Sequence, residues 1–275
     1  MDVQHLPVLV AETVERLAPW RGGLFVDATL GLGGHAEALL TAAPAARLLG
    51  IDRDPQALER ARRRLAPFGD RVAYAQANFH QLGTVLDRLG IRSISGALAD
   101  LGVSSLQLET PERGFSFRLD GPLDMRMGLS ERTAADVVNQ SSEEQLEKIL
   151  REYGEEKQAR RIARAIVRAR DEEPLRTTGQ LQKVVERAKG GRGREERIDP
   201  ATRVFQALRI EVNEELAGLE SYIEQTVQLL ESDGRLVVIS YHSLEDRIVK
   251  NTLRDLARGD IDQVTGRPRA ESQLI

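Results

Sequence analysis

Short apolar runs alternate with polar stretches of helical periodicity along the first hundred residues. Five runs have the length of buried strands: "GLFVDAT" (23–29), "RLLGID" (47–52), "RVAYAQAN" (71–78), "ISGALADL" (94–101) and "GRLVVISY" (234–241). Helical patterns follow the first three, near 34–42, 55–66 and 79–89. This alternation predicts an α/β fold with a doubly wound, mostly parallel sheet that is covered on both faces.

The alternation stops between the fourth and the fifth run. About 130 residues lie between them, far more than a strand crossover needs. They begin with a loop rich in glycine and proline and continue with helical patterns at 142–154, 155–172 and 177–190. We therefore predict a small helical domain, 109–205, inserted into a sheet domain formed by 1–108 and 206–275. We expect Pro200–Glu231 to be helical and to return the chain to the sheet.

Charge is distributed unevenly over these regions. The net charge is −4, yet residues 157–209 hold 15 Lys and Arg against 7 Asp and Glu, which leaves the remainder at −12. Such asymmetry favours a polyanion as partner of the basic segment. A solvated basic helix face explains the charge equally well at this point.

Composition narrows the chemistry. The chain has no cysteine and only four histidines, so we expect no disulfide, no thiolate catalysis and no metal site. The first residues, "MDVQHLPVLV", do not form the apolar run of a signal peptide, and no stretch is long and apolar enough for a membrane span. We expect a cytoplasmic protein without a membrane partner.

A glycine turn joins the first predicted strand to the first predicted helix. Gly31, Gly33 and Ala36 fit the G-x-G-x-x-G/A fingerprint, and Asp52 follows at the end of the second strand, where an acid binds ribose hydroxyls. NAD and S-adenosylmethionine both satisfy this pattern. A turn that merely connects strand and helix is the simpler alternative.

Asp27 favours S-adenosylmethionine over a dinucleotide. It lies four residues before Gly31, where a fixed carboxylate repels a pyrophosphate and attracts a sulfonium and an ammonium group. The adjacent Gly33 and Gly34 allow backbone to approach the methionyl part of the cofactor. We therefore expect S-adenosylmethionine as the cofactor.

Further candidates follow the third, fourth and fifth strands. Phe79 contacts the adenine or belongs to the core; Asp100 orients a substrate amine or caps its own loop. Tyr241 and His242 form a wall of the substrate site or relay a proton, and His242 serves equally well as a loop anchor.

Nine sequence blocks of the chain resemble those of one protein family, both in their residues and in their order. They are "HLPVL" (5–9), "DATLGLGGH" (27–35), "GIDRDPQAL" (50–58), "NFHQL" (78–82), "ADLGVSS" (99–105), "RGFSF" (113–117), "DGPLDMRM" (120–127), "VFQALRIEVNEEL" (204–216) and "SYHSLEDRIVK" (240–250). They look like the blocks of the MraW family, the ribosomal RNA small subunit methyltransferases H.

The resemblance implies a class I S-adenosylmethionine-dependent methyltransferase with a Rossmann-like fold. It implies methylation of the exocyclic N4 of a cytidine in the decoding centre of 16S ribosomal RNA, within the small ribosomal subunit. The family's cofactor positions carry over onto seven residues here: Gly33, Gly34, His35, Asp52, Phe79, Asp100 and Gln107. The family continues past "GRPRAESQLI" (266–275) into a further strand, so we expect a final edge strand to be missing.

The resemblance also assigns RNA recognition to the helical insert. Arg160, Arg161, Arg164 and Arg168 lie broadly on one face of a predicted helix, where they would contact phosphates. Three alternatives remain: an NAD-type oxidoreductase, a non-catalytic RNA-binding or assembly factor, and a small-molecule amine methyltransferase. The oligomeric state stays open between monomer and homodimer.

Overall fold

The computed structural model describes residues 7–128, 130–190 and 199–258, without the side chains of Ser105 and Leu106. The strands are β1 Gly23–Asp27, β2 Ala46–Asp52, β3 Val72–Gln76, β4 Ile94–Asp100 and β5 Leu230–Ile239. The helices are α1 Val10–Leu17, α2 Gly34–Ala42, α3 Pro55–Leu65, α4 Leu82–Arg88, α5 Ser105–Glu109, α6 Ala134–Gln140, α7 Glu143–Glu152, α8 Ala159–Glu172, α9 Thr178–Lys189, α10 Thr202–Asn213, α11 Leu219–Leu229 and α12 Ser243–Arg258.

The chain divides into two compact units. The first is formed by the described parts of Met1–Gly102 and Leu216–Ile275, and the second is Val103–Glu215. The predicted insert, 109–205, lies inside the second unit, whose limits are 103 and 215. The short α5 and all of α10 therefore belong to the second unit and not to the sheet.

The first unit contains a parallel sheet of five strands in the order β3-β2-β1-β4-β5. Successive side chains of a strand point to opposite faces, so Phe25 and Val26 enter two different cores. Helices α1, α2 and α3 bury their apolar side chains on the face of Phe25. Helices α4, α11 and α12 do so on the face of Val26. The predicted doubly wound α/β fold is confirmed, and every strand pair in the described residues is parallel.

Local signals explain where the helices of this unit begin. Asp54 caps α3 by accepting a hydrogen bond from the Gln56 N–H at 3.0 Å, and Pro55 occupies the first helical position. Gly33 precedes α2 with a positive φ of 77°, a conformation that favours glycine. Both helix starts agree with the sequence prediction.

Several predicted elements differ from the structure. The predicted helix Pro200–Glu231 is in fact two helices, because the chain adopts a positive φ at Glu214 and again at Gly218. Strand β5 begins at Leu230, four residues before the predicted start at Gly234, so Glu231 is in a strand. Helices α1, α6 and α12 were not predicted.

The second unit is helical in its described part. Helices α6 to α10 surround one apolar core that also includes Phe115, Leu123 and Met125 from the long loop before α6. Capping boxes start α6, α7 and α9, and in α7 the Ser142–Gln145 pair forms the box. The glycine-rich basic stretch 190–197 lies outside the described residues except for Gly190.

A buried amide fixes the loop before α6 to α10. The side chain of Asn213 accepts the Met127 N–H at 2.8 Å and donates to the carbonyl oxygen of Met125 at 2.7 Å. Asn213 is fully buried, so both hydrogen bonds are shielded from water. These hydrogen bonds anchor the loop, whose described residues between 114 and 133 form no helix and no strand.

Candidate active site

Three carboxylates stand at the ends of three neighbouring strands. Asp27, Asp52 and Asp100 are the last residues of β1, β2 and β4. Strand β1 pairs in parallel with both β2 and β4, so the three strand ends lie at the same edge of the sheet. The strand order reverses between β1 and β4, which is where open α/β sheets bind their ligands.

The glycine turn after β1 is held by Asp52. The N–H of Gly31 donates to Asp52 Oδ2 at 2.7 Å, and the Asp54 N–H donates to Asp52 Oδ1 at 2.8 Å. Gly31 has a φ of 53°, and a side chain at this position would meet only one atom within 4 Å, the carbonyl oxygen of Thr29. The turn therefore leaves open space at Gly31, and the carboxylate of Asp52 lies beside that space.

Gly33 and Gly34 are closed in by protein atoms instead. A Cβ at Gly33 would lie 3.2 Å from Leu65, and one at Gly34 would overlap Pro7. Glycine is required at these positions by the packing of the turn itself. Any contact with a cofactor would have to come from their backbone atoms.

The carboxyl group of Asp27 is buried, and its pKa is raised above the ordinary value of an aspartate. It is 2% exposed, and burial raises its pKa to about 7, against the opposing charge of His35. Its Oδ1 accepts the Thr29 N–H at 3.2 Å. Burial likewise raises the pKa of Asp52, although two backbone N–H groups favour its charged form.

His35 lies in the first turn of α2 and is 6% exposed. Neither ring nitrogen makes a hydrogen bond within the described part of the chain. Its Nε2 lies 3.5 Å from Asp100 Oδ2, close enough for charge interaction. A buried imidazole without hydrogen bonds is costly, which points to a ligand or a proton as its missing partner.

Hydrogen bonds with Thr29 and Tyr241 hold Asp100 in place. Its N–H donates to Thr29 Oγ1 at 2.6 Å, and the Tyr241 hydroxyl donates to Asp100 Oδ1 at 2.9 Å. Burial, and then the charge of Asp100, raise the pKa of Tyr241, which therefore stays neutral and donating. Gly102, with a φ of 99°, has no side chain to displace the Tyr241 ring. The structure thus brings together Asp100, Tyr241 and His35, which sequence had proposed separately.

His242 is engaged by one carboxylate. The Glu245 N–H donates to His242 Nδ1 at 3.4 Å, and His242 Nε2 lies 3.2 Å from Glu245 Oε1. Glu245 also accepts the backbone N–H of Tyr241 at 2.9 Å. The contacts of Glu245 with Tyr241 and His242 therefore hold the chain in place at the start of α12. A catalytic role for His242 stays a prediction, and this arrangement favours the loop-anchor alternative.

Phe79 and Gln107 lie in different units. Phe79 follows β3 and packs edge to face on Tyr222, with ring centroids 5.5 Å apart, while part of its ring stays exposed. Gln107 belongs to α5 of the second unit, where its side-chain oxygen accepts the Ser104 N–H at 2.9 Å. The roles proposed for both residues in cofactor binding stay predictions.

A basic groove lies between α8 and α9 in the second unit. It has a volume of about 750 Å³, and Ala165, Ala169, Val184 and Ala188 contribute apolar surface. Its cations are Lys157, Arg160, Arg161, Arg164, Arg168 and Arg187. The groove includes all four arginines named from the sequence, and every one of the six cations is exposed.

Sequence reasoning missed two of these cations and the partner of His242. Lys157 continues the helical spacing of the four arginines and was detectable from the sequence. Arg187 comes from the next helix, and no sequence pattern indicates that α8 and α9 pair. Glu245 lies three residues after His242, a spacing typical of a helix start.

The site residues fit a doubly cationic adenosine cofactor. An adenosine needs an acid for its ribose hydroxyls, and Asp52 is held beside the open Gly31. A sulfonium and an ammonium need negative charge, which Asp27 and Asp100 provide at the adjacent strand ends. The unpaired nitrogens of His35 add a buried polar group at the same place.

No helix within the described residues is long and apolar enough to cross a membrane.

Comparison with known proteins supplies the family. The MraW methylase family matches residues 2–267. "Ribosomal RNA small subunit methyltransferase H" of Geotalea daltonii is 55% identical over 94% of this chain and 83% of its own length. Proteins with the same name from Geobacter sulfurreducens and Thermobifida fusca are each 53% identical, over 94% and 92% of this chain and 84% and 78% of their own lengths. The chain therefore belongs to the MraW methylase family, and its cofactor is S-adenosylmethionine.

Proposed function

We propose that this protein methylates the exocyclic N4 of a cytidine in the decoding centre of 16S ribosomal RNA, acting on the small ribosomal subunit. The observation that carries the ribosomal RNA substrate is the likeness, over more than nine-tenths of the chain, to proteins named as small subunit methyltransferases. Asp100 at the switch point of the sheet supports an amine as acceptor.

The cofactor would be held by the residues that the family resemblance assigns to it. Asp52 would accept the ribose hydroxyls, and Phe79 would lie against the adenine. The backbone of Gly31, Gly33 and Gly34, together with His35 and Gln107, would complete the site. When bound, S-adenosylmethionine supplies a methyl group on a positively charged sulfur, which needs no further activation.

The chain's own task is to make a weak nucleophile react. The N4 lone pair of cytosine is delocalised into the ring, so the amine attacks only when a hydrogen-bond acceptor draws electron density onto nitrogen and the approach is in line. Asp100 is that acceptor in our proposal. The Tyr241 hydroxyl holds Asp100 Oδ1 at 2.9 Å, and Asp100 Oδ2 lies 3.5 Å from His35 Nε2. The exposed face of the Tyr241 ring, 53% of the residue, would wall the base.

The second unit would bind the RNA around the target nucleotide. The base must leave its stack, which costs a few kcal/mol and less for a nucleotide in a loop. Phosphate contacts in the basic groove would offset that cost, because each cation there is exposed. The apolar strip formed by Ala165, Ala169 and Val184 would lie beneath the sugar.

The test is transfer of a labelled methyl group to small subunits that lack the modification, followed by nucleoside analysis. Labelled N4-methylcytidine is the expected product. Asp100→Ala is expected to lower the rate by about 10²-fold or more, since an essential acceptor is lost. Asp246→Asn is the matched control, because Asp246 is an exposed acid on α12 that pairs with Lys250.

Two results would contradict the proposal. Label in a different nucleoside would retain the methyltransferase and remove cytidine N4 as its target. Cofactor binding without any transfer would favour the non-catalytic RNA-binding alternative. The NAD-type oxidoreductase alternative conflicts with membership in a methylase family.

A further inference from the structure

Three titratable side chains meet where β1 ends, and we call them the acid–imidazole cluster: Asp27, His35 and Asp100. Asp27 and His35 are buried, at 2% and 6% exposure. His35 Nε2 lies 3.5 Å from Asp100 Oδ2, and the charge of His35 acts on Asp27. Neither His35 nitrogen has a hydrogen-bond partner in the described residues, so both ring nitrogens are open to a donor or an acceptor.

Other titratable groups face the cluster from the elements packed around it. Asp52 at the end of β2 acts on Asp27 through its charge. Tyr222 on α11 is fully buried and interacts with Asp27, and Tyr241 donates to Asp100. The pKa of each tyrosine is raised, so both phenols remain neutral near pH 7. The proton count of this region therefore changes only at carboxyl and imidazole groups.

The state of Asp27 depends on nearby charge. Its pKa of about 7 is the result of burial, which disfavours the carboxylate. A cation placed at the strand ends stabilises the carboxylate and lowers that pKa, whereas a neutral ligand leaves it high. S-Adenosylmethionine and its demethylated product differ by one such positive charge, that of the sulfonium.

We propose that the acid–imidazole cluster accepts the proton that the substrate amine loses on methylation, and that the charge of the bound cofactor sets how many protons the cluster holds. The inference rests on the proposed function, because the amine belongs to that reaction. His35 lies beside Asp100, which faces the amine, and its charge acts on the buried Asp27.

Atoms and charge balance within this scheme. The amine lone pair forms the new N–C bond, and the S–C bond breaks with its electron pair left on sulfur. The N–H bond breaks, and its proton passes to Asp100 and is held within the cluster, in which His35 Nε2 lies 3.5 Å from Asp100 Oδ2. The cluster is ionised beside the sulfonium and protonated beside the neutral thioether. The proton goes to water when the next sulfonium cofactor binds.

The test compares binding of S-adenosylmethionine and of S-adenosylhomocysteine to the full chain without RNA. Calorimetry in buffers of different ionisation enthalpy counts the protons exchanged. About one pH unit below the Asp27 pKa of about 7 the sulfonium cofactor is expected to release close to one proton more than the thioether, and at that pKa about half a proton more. Below the Asp27 pKa of about 7 the carboxyl must lose its proton to accommodate the cation. The ratio of the two affinities therefore rises up to about tenfold per pH unit toward pH 7 and levels off above it.

Variants locate the effect. Asp27→Asn and His35→Gln are each expected to remove most of the difference in proton count. Glu37→Gln is the matched control, because Glu37 is a part-exposed acid two residues after His35 on α2 that pairs with Arg64. The proposal fails if wild type binds both ligands with the same proton count, or if the difference persists in both cluster variants.

A measurement on the wild-type protein covers the case in which a variant does not fold. The carboxyl carbon resonance of Asp27 can be followed by nuclear magnetic resonance as pH changes. The midpoint of its titration is expected to lie near the pKa of about 7 with the thioether bound and lower with the sulfonium bound; an equal midpoint overturns the proposal. A proton difference without methyl transfer to 16S ribosomal RNA would instead count against the proposed function alone.

Discussion

The strand-end carboxylates of the first unit and the basic groove of the second unit both concentrate charge, but the fold treats these charges differently. Asp27 is 2% exposed and Asp52 receives two backbone N–H groups, so position and protonation are set by the surrounding protein. The groove cations are exposed on helix surfaces. The interactions of buried charges are therefore screened little by salt, whereas exposed charges act by their sum and are screened by salt.

The largest expected effect tests the groove. The triple variant Arg160→Ala, Arg161→Ala, Arg168→Ala removes three phosphate contacts, and each is expected to weaken RNA binding about five- to tenfold at moderate salt. The slope of log affinity against log salt should fall by about 0.7 to 0.9 per contact, measured by fluorescence anisotropy with 16S ribosomal RNA fragments. Affinity for S-adenosylmethionine should stay as in wild type. An equal loss of both affinities would contradict the prediction that one unit binds RNA and the other binds the cofactor.

A smaller effect is expected at the strand ends. Asp52→Asn removes the negative charge that would receive the ribose hydroxyls, and a hydrogen bond to a charged group contributes about 1.5 to 3 kcal/mol. Affinity for S-adenosylmethionine, measured by calorimetry, should therefore fall roughly 10- to 100-fold at any salt concentration. Asp87→Asn on α4 is a control acid away from the strand ends. A loss that disappears at high salt would mean that Asp52 acts by diffuse charge, as the groove cations do.

The smallest effect separates two arginines within the groove. Arg164 pairs with Glu143 of α7 at 3.4 Å, so part of its charge is already neutralised before RNA binds. Arg164→Ala should therefore weaken RNA binding less than Arg168→Ala, by about a factor of two to three, since an exposed pair contributes under about 1 kcal/mol. The comparison needs the same anisotropy assay at low salt. A greater loss for Arg164→Ala would place its guanidinium closer to the RNA than its ion pair suggests.

The parallel strands and the glycine turn were predictable because they leave strong local patterns. A strand buried on both faces needs a continuous apolar run, which is why β1, β2 and β4 were placed within one or two residues. The start of α3 has Asp54 and Pro55 in sequence, a complete local signal. These features depend on residues that are adjacent in the chain.

Other features depend on packing between distant residues. The division of the predicted helix 200–231 follows from Glu214 in a left-handed conformation, which no residue type at that position requires. The pairing of Asp100 with Tyr241 joins residues 141 positions apart. His35 is unpaired because of what surrounds it in space, and the sequence contains no sign of this. Local pattern therefore predicted the scaffold and named candidate site residues, whose roles stay predictions, but it did not predict the contacts between those residues.

The insertion of the second unit between β4 and β5 also has a consequence for synthesis. Strand β4 is complete at Asp100, but its neighbour β5 begins only at Leu230. At about 5 to 20 residues per second, a translating ribosome needs roughly ten seconds to make the chain between them. Until then one border of β4 offers unsatisfied N–H and C=O groups. The nascent chain therefore completes the helical core of the second unit before the central sheet can close, and the interval is one in which chaperone protection would be most useful.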